Sequence, residues 1–409
     1  MPSGRPVLIN DVAVFDGRNP PVRSSVLVRG GVIAEIGERL AVGPECERVD
    51  GTGATLLPGL IDAHTHTFCR EDLQQALLFG VTTELDMFSD PAGARELKQL
   101  AAADGAMADL RSAGTGITAP GGHPTDLAEA GYLPPFAALA PEDSVDAFVA
   151  ARLAEGSDHI KVIVDDGAWL GLDLPTLSDA QVRAVVRAAH LRGEQVIAHA
   201  CSHVETERAL QAGVDGLAHV FVDRVPPEDF GARVARAGAF VVPTLRVWEA
   251  KFGHPREIAL SRDPRLRAHL APEMVEILGK PWSESFGMPE PDWPGNRYAR
   301  QTTGQLLEAG VPVLAGSDVA APHSAHGLSL HAELGALVAA GLSPQQALTT
   351  ATAAPAEHFG LADRGAIEVG RRADLVLVRG DPTVRIDAVA DIARIWRGGT
   401  PVRRPMCDE

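Results

Sequence analysis

Two imidazoles stand two positions apart at the polar end of an apolar run, Pro58-Gly59-Leu60-Ile61-Asp62-Ala63-His64-Thr65-His66. Side chains at i and i+2 of a strand share a face, so His64 and His66 can grip one ion together. A bare His-x-His is more often a core or surface pair. Here the apolar residues, the Pro58-Gly59 punctuation and the adjacent Asp62 favour a ligand pair. Other residues of similar chemistry end similar runs. Val196-Ile197-Ala198-His199 and Gly216-Leu217-Ala218-His219 each finish on a histidine, and Val311-Pro312-Val313-Leu314-Ala315-Gly316-Ser317-Asp318 finishes on a carboxylate. A carboxylate in apolar surroundings needs a cation or hydrogen-bond donors. Lys161 lies inside Ile160-Lys161-Val162-Ile163-Val164 and is costly to bury unless its charge is removed or paired. Taken singly, each has an ordinary explanation: a core histidine bonded to backbone, an aspartate capping a helix, a rim lysine paired with Asp165 or Asp166. His159, on the face of Lys161 by alternation, is a weaker rival ligand.

These residues need strands to aim them. Apolar runs at 56–63, 81–87, 108–114, 158–164, 194–200, 213–220, 239–245 and 311–318 alternate with amphipathic stretches that include 142–155, 178–192, 202–212, 300–309, 329–340 and 344–353. The βαβα order argues for an α/β fold, a parallel sheet with helices outside it, and eight strands is the number a closed barrel requires. Both ends of the chain read as β structure. Val7-Leu8-Ile9, Val12-Ala13-Val14-Phe15 and a hairpin turning at Gly30-Gly31 stand at one end; Ala373-Asp374-Leu375-Val376-Leu377-Val378 and Ala393-Arg394-Ile395-Trp396 stand at the other. The expectation is one small sheet domain from residues 1–55 and 366–409 around a barrel of residues 56–365. The connection 246–296, with Trp248, Trp282, Trp293 and many prolines, is longer than a loop needs and reads as a lid over the site, with helical padding as the alternative.

The run from Pro58 to His66 resembles the signature of the amidohydrolase superfamily, metal-dependent hydrolases built on a (β/α)8 TIM barrel. The Gly365-x-Ile367-x-x-Gly370-x-x-Ala373-Asp374-Leu375 pattern is similar to that superfamily's small β-sandwich domain. The resemblance implies that His64 and His66 bind the more buried metal and that His199 and His219 bind a second. It implies that Lys161, carboxylated by CO2, bridges the two as a carbamate. Asp318 would ligate the first metal and, as the catalytic residue, handle the proton of a metal-bridging hydroxide. The cofactors implied are two divalent ions, zinc in the first instance. Lys161 argues against the mononuclear branch and for an imidazolonepropionase-like or prolidase-like branch. The glycine-rich loop from Gly114 to Pro124 resembles a substrate loop of that branch, which would make His123 a contact for the substrate's carbonyl or carboxylate; a flexible solvent loop is the alternative. Arg246 could meet an anionic group, and His323 and His326 could line the pocket; surface pairing is the alternative for each. Val220-Phe221-Val222-Asp223 departs from related dipeptidases, which often have tyrosine near this point.

The leading expectation is hydrolysis of a C–N amide bond in an N-acyl amino acid, dipeptide or related small amide. A lactone, carbamate, urea or phosphotriester hydrolase would use the same metals, and a catalytically silent scaffold stands as the reading from another class. At 409 residues and 45% hydrophobic content the chain can bury a barrel core and a second domain. A formal charge of −17, from 54 acidic and 37 basic residues, leaves nothing for a phosphate-binding stripe, so the partner is a small molecule rather than nucleic acid or a membrane. Cys46, Cys69, Cys201 and Cys407 show no Cys-x-x-Cys spacing, and the amino terminus has no long apolar segment, which reads as a reduced, cytoplasmic enzyme. A homo-oligomer is expected.

Overall fold

The computed structural model describes residues 5–131, 133–253, 255–280, 293–320 and 323–404. The chain opens with β1 (Val7–Val14), β2 (Val22–Arg29), β3 (Val32–Gly37), β4 (Glu47–Asp50) and β5 (Ala54–Pro58). β2 and β3 form the expected hairpin, β1 pairs antiparallel to β2, and β4 and β5 both run parallel to β1. The barrel strands follow: β6 (Leu60–Thr65), β7 (Val81–Asp86), β8 (Asp109–Ser112), β9 (Ile160–Ile163), β10 (Val196–His199), β11 (Gly216–Ala218) and β12 (Phe240–Val242). The chain then returns to the first sheet with β13 (Leu375–Arg379), β14 (Ile392–Arg397) and β15 (Thr400–Pro401); β13 lies antiparallel to β5, Leu377 opposite Leu56. Both termini thus build one sandwich, around a core of its own that includes Ile9, Val26, Leu56, Leu375 and Trp396.

The barrel strands pair in parallel as β6-β7-β8 and as β9-β10-β11-β12. Backbone hydrogen bonds join these arcs. Ile117 N donates to Lys161 O at 2.8 Å and Ile163 N to Ile117 O at 2.9 Å, linking the chain beyond β8 to β9. On the other side, Val241 N donates to Pro312 O at 2.9 Å, Ala63 N to Ala315 O at 2.8 Å and Asp318 N to His64 O at 2.7 Å. The expected eighth strand, 311–318, is therefore in place between β12 and β6, but with interrupted pairing, since Pro312 has no N–H to give. The fold is an α/β, (β/α)8 barrel with a small β-sandwich.

Two glycines set where the ring passes. The expected strand 56–63 divides at Gly59: residues before it belong to the sandwich, those after it to the barrel. A Cβ there would lie 2.2 Å from Thr82 Oγ1, so only glycine lets the chain cross between sheets so close to β7. At Gly316 a Cβ would lie 2.7 Å from His64 Cβ, so the eighth segment is pressed directly against the first histidine. Helices follow the expected spans with their ends trimmed. Ser178 caps Asp179–His190 and Ser343 caps Pro344–Thr350, each accepting from the N3 amide and answered by a glutamine at N3.

The 246–296 connection does not close over the barrel mouth in its described part. Its helices include Leu245–Lys251, Glu257–Leu260, Pro264–Arg267 and Pro272–Leu278, and Leu266, Leu270 and Leu278 pack with Phe79, Leu328 and Ala390 on the flank. The apolar side chains of this described part bury against the barrel wall; residues 281–292 of the expected lid, with Trp282, lie outside the described residues. Among the described residues, no helix is long and apolar enough to cross a membrane.

Candidate active site at the barrel mouth

His64, His66, Lys161, His199, His219 and Asp318 line one cavity of about 400 Å³. They arrive from β6 and the residue after it, β9, β10, the residue after β11 and the eighth segment, at the carboxyl ends of the strands, where barrels build their sites. Several strands end sooner than expected because the next residues leave the ladder to enter the site. His219, Thr244 and Asp318 all have positive φ, at 75°, 49° and 53°. Left-handed backbone at non-glycine residues costs about 1–3 kcal/mol each, and it clusters at functional sites.

Hydrogen bonds fix how the imidazoles are turned. His66 Nδ1 lies 3.2 Å from Phe88 O; a carbonyl only accepts, so Nδ1 carries the proton and Nε2 presents its lone pair. That lone pair faces Asp318 Oδ1 at 3.1 Å, and His64 Nε2 lies 3.2 Å from the same oxygen. His199 Nε2 donates to Asp165 Oδ2 at 2.9 Å, which leaves Nδ1 as an acceptor, 3.0 Å from His219 Nε2. His219 Nδ1 is held in turn by Thr244 Oγ1 at 2.7 Å. At His66 a lone pair thus points at the Asp318 carboxylate, an arrangement that repels itself unless a cation or proton sits between them. Nitrogen and oxygen donors of His64, His219 and Asp318 lie within 4.8 Å of one another, the spread a single ion can span. Lys161 Nζ is buried and has no hydrogen-bond partner among the described residues. This donor set fits divalent metal.

Electrostatics follow from burial. Desolvation pushes His64 down to about 3 and Lys161 down to about 8, so the lysine gives up its proton readily. Burial alone would raise Asp318, but His64 and His66 outweigh it and hold its carboxyl well below the usual range. Asp62, buried beneath the pair and raised to about 7 by desolvation and by Glu84, accepts from Ser317 Oγ at 2.6 Å and from the amides of His64 and Ser317. It stitches β6 to the eighth segment under the histidines.

The remaining expected contacts divide. His123 lines the cavity, its ring 5.4 Å from that of His199 and its Nδ1 3.2 Å from Asp126 Oδ1. Arg246, expected to meet an anion, is wholly buried away from the cavity. It pairs with Glu257 and donates to the carbonyls of Ser317, at 3.0 Å, and His323, so its charge is consumed in holding the eighth segment. His323 is buried as well and does not line the cavity, and His326 donates to Glu84 Oε1 at 2.8 Å. His159 packs edge-on to Phe359 and does not line the cavity. Asp165 pairs with His199 and not with Lys161. Sequence reading missed Asp165 and Thr244 as supports; their positions just past strand ends were the available signal.

A barrel mouth with converging imidazoles, a carboxylate and a buried lysine defines a class of metal-dependent hydrolases. A model of the amidohydrolase family matches residues 55–407, and the chain belongs to that family. It is a hydrolase acting on C–N bonds. It is 25% identical to imidazolonepropionase from Deinococcus deserti over 423 aligned residues, covering 93% of this chain and 92% of that protein. Among solved structures it is similar to a Xaa-Pro dipeptidase with bound methionine, with a TM-score of 0.76 at 22% identity over 98% of this chain and 100% of that one. It is also similar to phenylurea hydrolase B, with a TM-score of 0.75 at 20% identity over 97% and 96%.

Proposed function

We propose that this protein hydrolyses an amide-type C–N bond of a small molecule at a binuclear centre. His64, His66 and Asp318 would hold one divalent cation, His199 and His219 a second, and Lys161, carboxylated by CO2, would stand between them; zinc suits this nitrogen and oxygen donor set. Such ions, when bound, supply Lewis acidity, polarising a carbonyl and lowering the pKa of water to about 7. The observation that carries the reading is the partnerless Lys161 Nζ among imidazoles already oriented from behind. A neutral amine reacts with CO2, and burial favours the neutral form.

The chain's own residues then have distinct tasks. Asp318 accepts the proton of the attacking water and returns it to the leaving nitrogen, which departs as an amine. Its two oxygens remain aimed because the amides of the eighth segment are fixed by His64 O and Asp62. His123 is the side chain placed to hold the substrate's carbonyl or neighbouring polar group. Metal analysis of protein purified with zinc and bicarbonate is expected to give two equivalents. Asp318→Asn that retains metal should lose roughly 10²–10⁴-fold in kcat, the contribution of a positioned proton carrier; full activity in that variant would remove Asp318 from the role.

A further inference from the structure

Beyond the donor cluster and His123, the cavity is walled by Phe68, Met87, Phe88, Leu127, Leu133 and Ile163. Phe136 stacks edge-on against Phe88 at 5.0 Å and completes an aromatic wall. Its size, about 400 Å³, falls in the range of sites that enclose a small organic ligand. Charge is distributed just as unevenly. Lys161 is the one lysine or arginine among the described residues lining the cavity, and the proposed centre uses it. His123 already faces Asp126, and Arg246 is committed to Glu257 and two carbonyls. The residues outside the described set, 1–4, 132, 254, 281–292, 321–322 and 405–409, contain no lysine or arginine in sequence. A carboxylate entering this cavity away from the reacting carbonyl would lose its hydration and find no guanidinium or ammonium to replace it.

We infer that the cavity takes a neutral substrate, an amide, carbamate or urea whose carbonyl carries an apolar aryl or branched alkyl group, and that it disfavours N-acyl amino acids and dipeptides with a free carboxylate. This rests on the hydrolase reading above and names its substrate class; it departs from the expected N-acyl amino acid or dipeptide substrate.

The test is a matched pair on the zinc-loaded, bicarbonate-treated protein. Phenylacetylglycine and its methylamide differ in one charge, and release of phenylacetate is read by chromatography. The methylamide is expected to have at least a tenfold higher kcat/KM; equal values or a preference for the acid overturn the inference. Binding is read separately by calorimetry with two ketones that cannot be hydrolysed, 4-phenylbutan-2-one and its ring para-carboxylate. The neutral ketone should bind at least tenfold more tightly, and failure of the neutral ketone to bind, or equal or tighter binding of the acid, overturns the inference. If neither amide is turned over while the ketones discriminate as expected, the proposed reaction falls and the cavity assignment stands. Leu127→Arg, on the half-buried short helix Thr125–Glu129, should shift the ratio of kcat/KM toward the carboxylate by about tenfold. Leu133→Arg, in the following loop, serves if the first variant does not fold. An unmoved ratio in a folded variant shows that this wall does not meet the substrate and refutes the assignment.

Discussion

The two ends of the barrel treat buried charge in opposite ways. At the amino-terminal end, where the barrel meets the sandwich, Asp109 at the start of β8 is surrounded by Arg364, Arg372 and Arg397, and Asp374 accepts from Arg372, Arg397 and the amide of Gly398. Arg364 also donates to Thr83 Oγ1 at 3.1 Å, so the buried carboxylates there are paired with guanidinium charge. At the carboxyl-terminal end, the His66 lone pair faces a carboxylate, Lys161 has no partner among the described residues and three strand ends adopt left-handed backbone. The first arrangement is what stability selects; the second is tolerable when something bound supplies the missing charge. The difference separates architecture from chemistry without reference to any relative.

Substitutions can break this contrast in order of severity. Lys161→Met keeps length and apolarity but removes the amine. Turnover is expected to fall by at least ~10³-fold, because the drop in water's pKa from 15.7 to about 7 goes with the ions. Melting temperature should hold or rise, since a partnerless buried amine has been removed; a fall in melting temperature with activity intact would invert the comparison. Asp109→Asn at the other end should do the reverse, costing about 3 kcal/mol in denaturant unfolding while leaving kcat/KM of the folded protein unchanged. Burial raises Asp109, but the three arginines more than offset it and depress its pKa. Its contribution is therefore present above the unfolded value near 3.8 and disappears as pH falls, so the wild type and this variant should converge in stability in acid.

Asp165→Asn sharpens the picture at the mouth. Loss of the carboxylate behind His199 should weaken metal affinity by about 10–100-fold in chelator competition, with little change in the apoprotein's melting temperature. The smallest effect is expected at His326, which lies between the regions. Burial opposes its charge, but Glu84 raises it to about 9, above the unfolded value of 6.5. That stabilisation is full below pH 6.5 and is lost as pH rises through 9, so His326→Gln should lose stability at neutral pH and match the wild type above pH 9.5.

How much of this was legible in sequence depended on whether a residue's role was local. The histidine pair, the strand-end imidazoles and Asp318 were readable because alternation along a strand fixes their face and the apolar run fixes their depth. The barrel and the terminal sheet were readable from the order of the elements. Arg246 was misread because it stands in the first turn of the helix Leu245–Lys251 beyond β12, and which way its side chain turns depends on Glu257 and Ser317, brought near only by folding. Asp165 looked like a partner for Lys161, four positions away, but the ring of the next strand lies closer. The cavity's apolar walls come from separate loops, and no period in the chain announces them.

The barrel's last stave is also its weakest hoop. It meets its neighbours through scattered amide bonds at Val241, Ala63 and Asp318 rather than a continuous ladder, and it carries one of the six proposed reactive groups at its tip. If the proposed ions hold that tip, opening of the seam should accompany their loss: a chelator should speed deuterium uptake at Leu314, Ala315 and Asp318 while uptake along β10 stays slow.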